Sequence, residues 1–170
     1  INSIAFQGAA CGYSAQTIAQ YYTRAVRIIP LFKPDIVLFA AGSQNSASTT
    51  QAGKDSSSYY TALTQKLCKD NGSLCILTNE LARNSADGVS YYTAGQDAFR
   101  QAYNAELISR RNKGILVVDV ASTISAGGSP APNKIGYTES GNWSHPNDIG
   151  YDAMAVPIAA ELLRIKNANL

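Results

Sequence analysis

The run Asp35-Ile36-Val37-Leu38-Phe39-Ala40-Ala41 constrains this chain more than any other feature. It is continuously apolar rather than alternating, the pattern of a strand buried on both faces of a parallel sheet. Leu74 to Thr78 and Ile115 to Val120 repeat the pattern. The stretches between them have helical spacing, over Tyr59 to Lys69 and roughly Ala94 to Arg111. Ahead of the first run lie a short strand candidate, Ser3 to Phe6, and a small-residue turn, Gln7 to Gly12. A helix capped by Ser14 or Thr17 then runs to about Ile29, with Ile18, Tyr22, Ala25, Val26 and Ile29 on one face. Pro30 and Pro34 are expected to close it. Strand and helix thus alternate, the grammar of one α/β domain over residues 1–170. An open parallel sheet with helices on both faces follows, and such sheets bind ligands at the carboxyl ends of their strands. Gly12, Gln44, Asn79 and the loop carrying His145 fall at those ends.

His145 is the one histidine among 170 residues, so proton transfer near neutral pH has one obvious candidate. The long Gly, Ser and Pro-rich segment from Ala121 to Ser144 leads into it and reads as a functional loop. Asn147 and Asp148 suit the start of a final helix to about Ile165, in which Pro157 predicts a kink or break. His145 is therefore expected on a rigid loop at a helix start.

The net charge of +2 is spread without a basic stripe, which argues against a nucleic-acid partner. The apolar runs are strand-sized, too short for a membrane span. One histidine and no clustered ligands indicate neither a metal nor another cofactor. Low charge with abundant Ser, Thr, Asn, Gln and Tyr fits a secreted, extracellular or virion-surface protein. Cys68 and Cys75 flank a turn-rich link and are read equally as a disulfide or as two buried thiols. Cys11 has no further partner on the chain.

The segments Gln7 to Gly12, Lys33 to Asn45 and Asn142 to Tyr151, with the less specific Tyr103-Asn104-Ala105-Glu106-Leu107 helix and Val117-Val118-Asp119 strand between them, together resemble the SGNH or GDSL hydrolases, flavodoxin-like esterases. Gln7-Gly8-Ala9-Ala10-Cys11-Gly12 is similar to the family's second block, N-x-G-x-x-G. Lys33-Pro34-Asp35 with its apolar run and Gly42-Ser43-Gln44-Asn45 is similar to the third. Asn142-Trp143-Ser144-His145-Pro146-Asn147-Asp148-Ile149-Gly150-Tyr151 is similar to the fifth, D-x-x-H-P-N-x-x-G-Y. The resemblance implies a three-layer α/β/α sheet in the order 2-1-3-4-5 and hydrolysis of an acyl ester or acetylated saccharide. It implies His145 as base, Asn142 in the place of the orienting aspartate, and an oxyanion hole from Gly12 and Gln44, with Asn45 as second choice. Tyr13 and Trp143 are candidates for substrate contact. The family's first block, a strand ending in G-D-S with the nucleophile, has no counterpart, since Ser3 lies only nine residues before Gly12. A first strand and helix are thus expected from outside this sequence, on a companion N-terminal peptide or upstream segment. Cys11 could pair with that piece or be buried beside its turn.

Two other readings stay open. An α/β-hydrolase could use Ser14, Asp119 and His145, in that fold's triad order, although Gln16 stands where its nucleophile elbow needs glycine. An SGNH-fold module without a nucleophile could instead bind glycans through Tyr13, Tyr91, Tyr92, Tyr137 and Trp143.

Overall fold

The computed structural model describes residues 16–40, 50–83, 93–111, 113, 115–127, 133–134, 136–139 and 142–168, with the side chains of 142–144 excepted. Three strands, β1 (Ile36–Ala40), β2 (Leu74–Thr78) and β3 (Leu116–Val118), form a parallel sheet in the order β1-β2-β3. Its register aligns Leu38 with Ile76 and Leu116, and Phe39 with Leu77 and Val117. Helices α1 (Ile18–Phe32), α2 (Gln51–Asp70) and α3 (Ala94–Arg111) alternate with the strands. The short α4 (Ala121–Ile124), the two-stranded hairpin β4 (Thr138–Glu139) and β5 (Asn142–Pro146), and α5 (Asp148–Asn167) complete the described fold.

Each sheet face has its own core, as period-two alternation requires. Phe39, Leu77 and Val117 pack with Ile18, Tyr103 and Leu107 from α1 and α3, and Tyr60 of α2 adds to that core. Ile76 and Val118 pack on the opposite face with Ile124 of α4 and Ile165 of α5. The two faces are unequally covered. Phe39, Leu77 and Val117 are 8%, 0% and 1% exposed, whereas Leu38 is 47% exposed beside a fully buried Ile76. On the α5 side, then, the sheet is sealed over Ile76 of β2 and left open at Leu38 of β1, although Ile36 still packs against that core.

Several elements differ from their sequence expectation. α1 continues through Pro30, which forfeits one backbone bond without ending the helix. The end comes at Lys33, a left-handed residue (φ 45°) whose N–H donates to the Ile29 carbonyl, with Pro34 next. Its start is a capping box: Gln20 N–H donates to Thr17 Oγ1 at 3.2 Å, and Thr17 N–H donates to Gln20 Oε1 at 2.8 Å. Thr17, and not Ser14, is therefore the cap.

α2 begins at Gln51, well before the expected Tyr59, because Thr50 Oγ1 accepts from Gly53 N–H at 3.1 Å. Its Ser-rich first half is a poor helix former by propensity. Tertiary bonds hold it, with Lys54 Nζ and Ser58 Oγ both donating to Glu106 Oε2 of α3, at 3.0 and 2.9 Å. β3 is shorter than the apolar run, since Val120 N–H folds back onto the Val118 carbonyl and the chain enters α4. The expected loop from 121 to 144 contains α4, β4 and most of β5. α5 passes Pro157 as one unbroken helix.

The Thr61 and Tyr103 hydroxyls hydrogen-bond at 2.8 Å, and burial pushes the Tyr103 phenol well above its usual range. Cys68 and Cys75 are free thiols, so the disulfide reading is replaced by its alternative. Their hydrogen bond and burial push the Cys75 thiol upward. No described helix is long and apolar enough to cross a membrane.

Glu106 generates a pH prediction. Burial alone would raise its carboxyl, but bonds from Lys54, Ser58 and Arg110 outweigh this and hold it below the ordinary value. A carboxylate lowered in the folded state contributes fully above its unfolded pKa of about 4.3, and that contribution fades as pH falls through the folded value. Glu106→Gln should therefore flatten part of the acid limb of stability, by no more than about 1 kcal/mol for a partly exposed group. Urea midpoints from pH 6 to 3 for both proteins check this.

Candidate active site

The carboxyl ends of β2 and β3 are joined by a polar bridge. Asn79, next after β2, donates through Nδ2 to Asp119 Oδ1 at 2.7 Å and accepts through Oδ1 from Ala121 N–H at 2.8 Å. The same Asp119 oxygen accepts from Ser122 N–H at 3.0 Å. Asp119 thus fastens the start of α4, a structural use of the carboxylate that the α/β-hydrolase reading had assigned to catalysis.

One residue further on, Glu80 is clamped to α3. Its N–H donates to Asn104 Oδ1 at 2.8 Å, and its carbonyl accepts from Asn104 Nδ2 at 2.7 Å and Arg100 Nη1 at 3.1 Å. Arg100 is itself paired with the fully buried Asp97 at 2.6 Å. A buried charge pair needs such additional bonds to offset its desolvation. This clamp was not legible in the sequence, because residues 80 and 104 lie 24 positions apart in different elements and meet only when α3 docks.

The segment leading to His145 is moored to the same edge. Asn133 Nδ2 donates to the Ala82 carbonyl at 3.0 Å, and Lys134 N–H donates to the Ile124 carbonyl at 2.7 Å. Beyond it, β4 and β5 pair antiparallel, with a register shift between Thr138 and Glu139. His145 sits half-buried in β5, two residues before the α5 cap, so it lies on a short strand rather than on the expected loop. Pro146 is buried behind it.

Asn147 caps α5, its Oδ1 accepting from Gly150 N–H at 3.0 Å. Its Nδ2 donates to the Gly136 and Thr138 carbonyls at 2.8 and 3.2 Å. Gly136 adopts φ 82°, a left-handed conformation that suits glycine. Gly150 is needed for a different reason. A Cβ there would run into the Tyr137 carbonyl oxygen and come within 2.8 Å of Pro146 Cβ.

Of the residues assigned from sequence, His145 is described on β5, with the backbone of Asn142 and Trp143 on the same strand. The side chains of Asn142 and Trp143, and all of Gly12, Tyr13, Ser14, Gln44, Asn45, Tyr91 and Tyr92, lie outside the described residues. Tyr137 is half-buried with Lys134 Nζ 5.7 Å from its ring centre, so it packs within the segment. Among the described residues, no cluster of three His, Cys, Asp or Glu side chains could hold a metal ion.

No protein-family model matches the chain, and no curated protein matches it at a significant level. Solved structures do. A candidate acylhydrolase from Bacteroides fragilis superposes with a TM-score of 0.73 at 25% identity, over 88% of this chain and 71% of the other. A GDSL-like lipase from Bacteroides thetaiotaomicron also gives 0.73, at 23% identity over 89% and 73%. The chain has the SGNH/GDSL hydrolase fold. A candidate lipolytic protein of the G-D-S-L family from Desulfitobacterium hafniense gives 0.66 at 18% identity, over 86% and 75%. In this SGNH/GDSL fold, the helix packing behind β1 and β2 and the moored His145 strand occupy one continuous α/β frame.

The steric position of Gly150 is directly testable. Gly150→Ala should cost about 1–3 kcal/mol, the usual penalty of overpacking. Gly95→Ala is the control, because a Cβ at Gly95 meets nothing within 4 Å. Urea unfolding should show a lowered midpoint for the first substitution and none for the second.

Proposed function

We propose that this chain is the base and oxyanion-hole portion of a serine ester hydrolase, acting on acetylated saccharides or other small acyl esters. The reading is supported by the place of His145 on β5, in a segment that Asn133 and Lys134 tie to the residues after β2 and β3, within a fold shared with a GDSL-like lipase. All three solved relatives bear names that point to acyl or lipid ester hydrolysis, and the motif order in this sequence agrees with that chemistry.

In this reading His145 removes the proton of a serine hydroxyl as the oxygen attacks the ester carbonyl. It then returns the proton to the departing alcohol, and water completes the cycle by releasing the acyl group. The Gly12 backbone N–H and the Gln44 amide, or that of Asn45, face the developing oxyanion. The Asn142 amide oxygen orients the imidazole, although it stabilises an imidazolium less than a carboxylate does. Tyr13 and Trp143 line the substrate's approach.

The serine comes from a companion N-terminal strand and helix carrying G-D-S. Support for its place comes from the uneven sheet. β1 has a described neighbour only on its β2 side, and Leu38 on the α5 face is 47% exposed. Parallel strands are normally covered on both faces, so a strand beside β1 and a helix over Leu38 would supply the missing cover. With α1, α2 and α3 on the other face, right-handed crossovers put that extra helix on the α5 side.

The complete assembly should hydrolyse a small chromogenic acetate, and His145→Ala should lower turnover by about 10²–10⁴-fold, the usual contribution of general-base catalysis. Denaturing mass spectrometry of the active preparation should reveal a polypeptide bearing G-D-S. Turnover that survives His145→Ala, or no turnover by the assembly, would sink the reading.

A further inference from the structure

Capping a helix takes only an acceptor, and Ser, Thr or Asp would serve α5 as well as asparagine. Asn147 does more than cap. Its amide nitrogen reaches back across the hairpin to two backbone carbonyls, Gly136 at 2.8 Å and Thr138 at 3.2 Å, while its own N–H donates to the Tyr137 carbonyl at 3.1 Å. Only an amide side chain of this length offers an acceptor to Gly150 and two donor hydrogens at once. The three consecutive residues 136–138 are thereby tied to the start of α5 through one residue.

The link from Asn147 to His145 is short and stiff. Pro146 has a fixed φ, and the residue before a proline is confined to extended backbone. Little torsional slack therefore separates the two positions. Pro146 is further pinned by the close approach of Gly150, where even a Cβ would not fit.

We infer that Asn147 is the positioning residue for His145, holding the imidazole in its working place through this strap rather than only capping the helix. The inference rests on the reading of His145 as the base.

Two variants in the intact assembled protein separate strap from cap. Asn147→Asp keeps the shape and the cap acceptor but has no donor. Asn147→Ser keeps a good cap and cannot span both carbonyls. Thr50→Ala, which removes the α2 cap, is the control for lost capping alone. His145 is the chain's only imidazole, so histidine labelling of this chain gives one ring signal to follow by NMR.

Both Asn147 variants should fold, broaden or split that signal, and lose turnover of the chromogenic acetate by about 10- to 100-fold with KM within twofold. Thr50→Ala should leave signal and turnover unchanged. If the aspartate variant does not fold, the milder serine variant decides. A folded Asn147→Ser protein whose ring signal and titration superimpose on the parent's would overturn the inference. So would a parent that turns over acetate alongside variants with full turnover, and the esterase reading would then stand. An altered ring signal in variants of a parent without turnover would support the strap and defeat the esterase reading instead.

Discussion

A parallel sheet has to be covered on both faces, and this requirement organises the rest of the protein. Helices α2 and α3 connect the strands and, with α1 ahead of β1, fall on one side, where Phe39, Leu77 and Val117 are sealed. The other side depends on α4 and α5, which come from the end of the chain and reach Ile76 and Val118. Their reach stops short of Leu38. The same constraint that builds the core thus leaves Leu38 of β1 uncovered.

Stability and site geometry meet at the carboxyl edge. Backbone groups leaving β2 and β3 need partners once the ladder ends: Asn104 supplies them to Glu80 through both ends of its amide, and Asn79 supplies one to Ala121 N–H while its Nδ2 holds the Asp119 carboxylate. Asn147 repeats the device at the start of α5. In each case an asparagine replaces a missing strand neighbour, joining segments tens of residues apart or closing a hairpin. The rigid edge that results is the type of platform from which a base can act with fixed geometry.

Much of the fold was legible because period and punctuation are local. The apolar runs at 36–40 and 74–78 and the helical spacing at 94–111 appear in the structure where the sequence places them. The departures share a cause. The Ser-rich start of α2 has weak helix propensity and folds because Thr50 caps it and Glu106 receives its side chains. Pro30 should stop a helix, yet the left-handed Lys33 does so instead. Near the candidate site, the sequence anticipated the helix start at Asn147. It held no sign of the Asn79–Asp119 bridge or the Glu80 clamp, since those partners are 40 and 24 residues apart.

By itself the sequence determined the α/β alternation, the parallel character of the strands and the identity of the one imidazole, all properties of residue type and spacing. Tertiary structure alone decided which polar side chains moor the His145 strand and which apolar face stays open. Those outcomes depend on where distant elements come to rest, and on backbone carbonyls whose positions no residue name specifies. His145 is therefore chemically evident in the chain, while its fixed place is a product of the fold.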